Sequence, residues 1–398
     1  MPDRKIILVF PFNLLSHYLR SLVLVDRYYD RQVYDVRFAE SEAYGLYVRR
    51  AGYKTFPCAQ FDAERATADS RRFDFSWLNE KDINRVFTSQ ADCIRMFHPE
   101  RVIGDMAPTL KMAAELTATP CLAVLNGYMT PYCVQGRSVP AKHPAYRYLN
   151  RLPKDVLEPL TSFGESMSFR KIHKPFRMLR HKYKLKPVSN YLEEIQGDEN
   201  VICDLPDLFP QKDLPANYNF TAPLIYQDSM QDSSWLADVD RRKPVVLVTM
   251  GSSGDWERLR FLNGREYAVF SIITAGDKDG ILCGSHITAR PFVDMRRVLA
   301  ISDVMICHGG NGTIYQGLLT GVFMLCLASH FEQEWNVKAL ERIGYGMSAA
   351  NFEEAEWWMQ INQAIKKKMV PYFEESEGVF PPGLPVSVSP RHQATFEK

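Results

Sequence analysis

The stretch richest in chemical possibility is His308-Gly309-Gly310-Asn311-Gly312-Thr313. It follows an apolar run, Val304–Cys307, and precedes a helical pattern, Ile314–Leu319. Glycines let a backbone come close to a ligand, and the first amides of a helix attract an anion. His308 and Thr313 add side-chain donors for phosphate oxygens. Such a turn can also be plain strand-to-helix punctuation. A second loop, Gly251-Ser252-Ser253-Gly254, decides for phosphate binding. It ends the run Val245–Thr249, which a doubly wound order places beside Val304–Cys307. Near the amino terminus, His17 lies just past the run Ile6–Phe12, and Asp105 closes the run Arg101–Asp105. These are strands one and four of their own series, neighbours in the same order. The imidazole and carboxylate are therefore expected to open into one crevice as a general base and its orienter.

Positioning these groups takes a particular architecture. Short apolar runs alternate with helical stretches along the chain, which predicts parallel α/β structure. The strands expected in the first half are Ile6–Phe12, Val33–Ala39, Tyr53–Pro57, Arg101–Asp105 and Cys121–Leu125, with helices over Tyr18–Tyr28 and Leu110–Leu116. The pattern turns irregular after Asn126. The second half predicts strands at Val245–Thr249, Tyr267–Thr274, His286–Phe292, Val304–Cys307 and Val322–Ala328. Prolines at 206, 210, 215 and 223 place the connection in Leu205–Pro223. The expected domains are residues 1–222, 223–370 and a tail, 371–398. Two doubly wound domains facing one another make an interdomain cleft, with ligands at the carboxyl ends of the strands.

The composition narrows the function. The 398 residues carry 48 basic and 47 acidic side chains, so no global field draws the chain to nucleic acid or an anionic membrane. The longest early apolar run, Ile6–Phe12, is too short to span a bilayer, and no small-residue cleavage site follows it, so no signal peptide is expected. The eight cysteines include no C-x-x-C pair, which reads as reduced thiols in a cytoplasmic protein. Gly310-x-Gly312 begins a dinucleotide fingerprint, but Tyr315 stands at its third glycine position and no Walker Gly-Lys-Ser/Thr occurs. Nicotinamide, flavin and ATPase chemistry are disfavoured. No carboxylate cluster suits Mg²⁺, so neither a metal nor another cofactor is expected.

Four blocks carry a family resemblance. They are Phe292-Val293-Asp294-Met295-x-x-Val298-Leu299, the His308–Thr313 run with Gln316, Gly321-Val322, and Phe331-Glu332-Gln333-x-x-Asn336. In order and spacing they resemble the donor-binding signature of UDP-glycosyltransferase-like enzymes of GT-B fold, with two facing Rossmann-like domains. The resemblance implies that Phe292 stacks on the nucleotide base and the Val293 backbone hydrogen-bonds it. It implies diphosphate contacts from Gly251, Ser252, Ser253, His308, Gly310, Asn311, Gly312 and Thr313. Gln316 stands at the ribose position, and Glu332 with Gln333 match the pair that reads donor-sugar hydroxyls. His17 and Asp105 match the family's catalytic dyad. Met295, Asp294 and Gln316 depart from the usual residues and leave the nucleotide open: UDP, dTDP or another.

The expected reaction is inverting, metal-independent transfer of a sugar from a nucleotide-sugar donor to a hydroxyl of a small, apolar acceptor. Two alternatives stay open: a sugar-nucleotide epimerase of the same fold, and a non-catalytic glycosyltransferase-like partner subunit. A lipid acceptor is a third. Phe169, Ile172, Phe176, Leu179 and Tyr183 recur at helical spacing among basic residues, with Pro175 interrupting. The plain reading of 169–186 is a helix on the protein's own core, and membrane contact is the less favoured one.

Overall fold

The computed structural model describes residues 4–134, 138–141, 143–149, 151–227, 232–251 and 254–374. Ser252, Ser253 and the tail beyond Glu374 lie outside them. The chain divides into two compact units. Among the described residues, the first runs to Tyr226, apart from residues 140–142, and the second takes those residues together with the chain from Gln227 to Glu374.

The first unit is built on a seven-stranded parallel sheet of order β3-β2-β1-β4-β5-β6-β7. Its strands are β1 (Lys5–Pro11), β2 (Tyr34–Ala39), β3 (Lys54–Phe56), β4 (Arg101–Asp105), β5 (Cys121–Leu125), β6 (Glu199–Ile202) and β7 (Tyr218–Phe220). The middle strands are buried on both faces, so they read in sequence as continuous apolar runs. Ile7, Val9, Ile103 and Val124 of the sheet pack with Leu22 and Val25 of the helix Leu15–Tyr28 in one buried cluster. β1 pairs with β4, which puts Pro11 opposite Asp105. This adjacency delivers two carboxyl-terminal strand ends to one place.

The second unit holds a six-stranded parallel sheet of order β10-β9-β8-β11-β12-β13. Its strands are β8 (Val245–Thr249), β9 (Ser271–Ala275), β10 (Ile287–Arg290), β11 (Val304–Cys307), β12 (Phe323–Cys326) and β13 (Gly346–Ser348). β8 pairs with β11, with Thr249 opposite Cys307, so the two glycine-rich loops leave from neighbouring strands.

Several expectations are corrected. The run Tyr267–Thr274 is not one strand: residues Arg265–Val269 form a 3₁₀ turn, and β9 begins at Ser271. Tyr267 and Phe270 are buried core residues there, so their apolar character reports packing and not extended backbone. The run His286–Phe292 shortens to Ile287–Arg290, which leaves Phe292 beyond the strand. The proline-rich segment Leu205–Pro223 contributes β7 at the sheet edge, whose three residues Tyr218–Phe220 fall between Pro215 and Pro223 and contain no proline. The basic helical pattern is two helices, Lys154–Ile172 and Lys174–Lys182, with Pro175 in the first turn of the second, where its lost N–H has no helical partner to forgo. The second helix does lie on the core: Phe176 and Leu179 are buried, and buried Arg180 pairs with Glu194 and Glu115.

Candidate active site

In the first unit the helix Leu15–Tyr28 begins directly after β1, which carries His17 in its first turn to the end of β4. His17 Nδ1 lies 2.8 Å from Asp105 Oδ1. Asp105 is fully buried, and its backbone oxygen accepts from the Phe12 amide at 2.9 Å, tying the two strand ends together. Burial by itself raises a carboxyl pKa. Here the Arg20 charge and then His17 outweigh it, and Asp105 is held at about 2. It is a carboxylate at any physiological pH.

Sequence reasoning missed Arg20. It is 8% exposed, donates from Nε to Asp105 Oδ2 at 2.7 Å, and reaches Asp105 Oδ1 through Nη2. From Nη1 it donates to Asn126 Oδ1 at 2.8 Å and to Cys203 Sγ at 3.0 Å, past the ends of β5 and β6. Its signal in the sequence was an arginine three residues after His17, separated only by Ser21 from the apolar run Leu22–Val25.

In the second unit His308 follows β11 and is buried. Burial, with the nearby His330 next, pushes its imidazole down to about 4, while Glu332 pulls the other way. The ring is neutral near pH 7, and its Nδ1 has no hydrogen-bond partner among the described residues. Two glycines make room for it. A Cβ on Gly251, whose φ is +55°, would lie 2.6 Å from His308 Cε1; one on Gly310 would lie 2.3 Å from Nε2. Gly310 caps the helix Asn311–Thr320, and the Thr313 and Ile314 amides return to its carbonyl at 3.0 Å. No acidic side chain occupies that helix's first turn, so its positive end is not offset from within. A Cβ built on Gly312 would meet nothing within 4 Å, which leaves open space where an anion would approach.

The remaining expected residues divide into two groups. Glu332 opens the helix Phe331–Ile343 close enough to act on His308. Gln333, next to it, is turned inward: its Oε1 accepts from the Ser329 amide at 2.7 Å and from the Ser329 hydroxyl at 2.9 Å. Asn336, three residues on, is fully buried and donates to the Gly309 carbonyl at 3.0 Å. The Gln333-x-x-Asn336 spacing thus pins the helix to the glycine loop. Phe292 is 53% exposed, and with Val293 it stands past β10, two strands from β8. Asp294, which follows, caps the helix Met295–Leu299 by accepting from the Arg297 amide. Gln316 lies in the second turn of Asn311–Thr320 and is partly exposed.

Among the described residues no group of three or more His, Cys, Asp or Glu side chains could hold a metal ion, and no helix is long and apolar enough to cross a membrane.

Known glycosyltransferases share sequence and fold with this chain. Residues 245–375 match the model of the glycosyltransferase family 28 C-terminal domain. A PGL/p-HBAD biosynthesis glycosyltransferase of Mycobacterium tuberculosis (strain ATCC 25177 / H37Ra) is 26% identical over 352 residues, covering 86% of this chain and 80% of that protein. A PGL/p-HBAD biosynthesis rhamnosyltransferase of Mycobacterium bovis (strain BCG / Pasteur 1173P2) is 25% identical, over 86% of this chain and 76% of its own. Among solved structures, a spinosyn rhamnosyltransferase complexed with thymidine diphosphate superposes with a TM-score of 0.63. It is 14% identical and covers 92% of each chain.

Proposed function

We infer that this chain, a GT-B-fold glycosyltransferase related to the nucleotide-sugar transferases, carries out inverting, metal-independent transfer from a UDP- or dTDP-sugar to a hydroxyl of a small, apolar acceptor. His17 Nε2 takes the acceptor's proton. The oxygen's freed electron pair forms the bond to the anomeric carbon, and the bond from that carbon to the diphosphate breaks with its pair leaving on phosphate. Asp105 stabilises the imidazolium that forms. The charge gathering on the diphosphate is met by the amides opening Asn311–Thr320 and by His308 and Thr313.

The observation that carries this reading is the 2.8 Å contact between His17 Nδ1 and the buried Asp105 carboxylate at a strand end of a doubly wound sheet. The apolar character of the acceptor is supported by side chains at the carboxyl ends of β1 to β4, where Phe10, Phe12, Phe61, Val86 and Pro108 line a narrow recess that as it stands is no larger than a water. The Phe12 ring also meets the His17 imidazole edge-on, with centroids 6.1 Å apart. Thymidine diphosphate bound to the spinosyn enzyme, and the rhamnosyltransferase among the relatives, support a dTDP-deoxysugar as the first donor to try. The test is His17→Ala. Single-turnover transfer falls on the order of 10²–10⁴-fold with donor affinity nearly intact. An unchanged rate removes His17 from the mechanism.

One surface favours a second reading, in which the acceptor is met at a lipid surface. Val156, Leu160, Phe163 and Met167 are exposed on the helix Lys154–Ile172, and their steps of four, three and four put them on one face. Exposed Arg170 and Lys171 stand in the last turn of that helix, and exposed Lys174 opens the next one, so apolar and basic groups adjoin as in an interfacial helix. Flotation with anionic and zwitterionic vesicles decides. Binding to anionic vesicles that Phe163→Glu abolishes supports a lipid acceptor; no flotation supports a soluble one.

A further inference from the structure

The Arg20 guanidinium reaches more of the proposed acid–base centre than pairing with Asp105 requires. Its Nη2 stands 3.3 Å from His17 Nδ1, and both nitrogens face Asp105 Oδ1. An ionised carboxylate can only accept, and a guanidinium can only donate. The His17 nitrogen directed at Oδ1 must therefore carry the proton, and the unshared pair of the neutral ring resides on Nε2. The close Nη2–Nδ1 approach is then two donors sharing one acceptor oxygen. Arg20 cannot move aside, because Asn126 and Cys203 hold Nη1.

The charged and titratable groups around this centre are few. His17 faces Asp105 from β4, Arg20 from its own helix and the neutral ring of Phe12 from the β1 loop. Arg20 faces Asp105, Cys203, Asn126 and Tyr128.

We propose that Arg20 is a positioning residue of this centre: it clamps the Asp105 carboxylate so that Oδ1 selects the Nδ1–H tautomer of His17, which leaves the unshared pair on Nε2. This rests on the reading of His17 as the base. Without the guanidinium the carboxylate loses the partner that fixes its orientation, and both tautomers of the ring are open to it.

The test is nuclear magnetic resonance of the full chain labelled with ¹⁵N-histidine, with the His17 signals identified by their loss in His17→Gln. It needs no substrate, so it stands whether or not His17→Ala alters turnover. In the unsubstituted protein His17 shows a protonated Nδ1 and an unprotonated Nε2. Arg20→Met, which releases the carboxylate, mixes the two tautomers. Arg20→Lys keeps a charge but cannot bridge both carboxylate oxygens, and it mixes them as well. If Arg20→Met does not fold, Arg20→Lys and the unsubstituted tautomer carry the test. A Nε2–H tautomer in the unsubstituted protein overturns the proposal. So does an unchanged His17 tautomer in a folded Arg20 variant, which would make Arg20 merely structural.

Discussion

Gly251 and His308 are in contact across two neighbouring strand ends: a Cβ on the glycine would fall 2.6 Å from the imidazole Cε1. The loop after β8 and the loop after β11 are therefore fitted to one another around a buried ring. Gly251 also sits at φ +55°, where a side chain is strained whatever space it finds. Gly251→Ala is expected to cost about 1–3 kcal/mol in stability and to displace His308. Thermal unfolding together with nucleotide titration checks this, and both should worsen.

The burial of His308 makes a pH prediction. In the folded chain the ring takes a proton only near pH 4, against 6.5 for an ordinary histidine. Between those values the unfolded state binds more protons, so stability is fully present above about pH 6.5 and falls as the pH drops toward 4. The loss attributable to His308 is roughly 3 kcal/mol. Urea unfolding at a series of pH values should show this slope, and His308→Asn should flatten it.

Asp105 behaves in the same direction at lower pH. Its folded pKa is held near 2, below the ordinary 3.8, so its contribution is present above about 3.8 and disappears as the pH falls toward 2. At neutral pH, Asp105→Asn leaves the Arg20 charge buried without its partner. Breaking a buried pair from one side costs about 3–5 kcal/mol. Denaturant unfolding should show that loss even where no transfer is measured.

The strands that carry the site were legible because each is buried on both faces and bounded by turn residues. Arg101–Asp105, Cys121–Leu125, Val245–Thr249 and Val304–Cys307 were all read with their observed ends. Tyr267–Phe270 was misread because an aromatic run looks the same whether it packs from a 3₁₀ turn or from a strand. β6 and β7 were missed, since strands of four and three residues show too little alternation to stand out. Within the site, the His17–Asp105 approach followed from strand order. Arg20 did not, because an arginine in a helix ordinarily faces water. Only the meeting of Asp105, Asn126 and Cys203 at three strand ends makes its burial tolerable.

The inward turn of Gln333 sets a further expectation. Because its side-chain oxygen is engaged by both the amide and the hydroxyl of Ser329, Gln333→Ala should loosen the loop before the helix Phe331–Ile343. The effect is a stability loss of about 1–3 kcal/mol from donors left unmatched. Thermal unfolding without nucleotide checks it, since the loss should be present before any donor is added.

The most direct measurement is calorimetric titration of the full chain with UDP and with dTDP, beside the same titrations of His308→Ala. At least one of the two is expected to bind at a single site per chain, and His308→Ala to weaken it tenfold or more, about 1.4 kcal/mol. Absence of binding by both nucleotides, or binding indifferent to the loss of His308, would contradict this expectation.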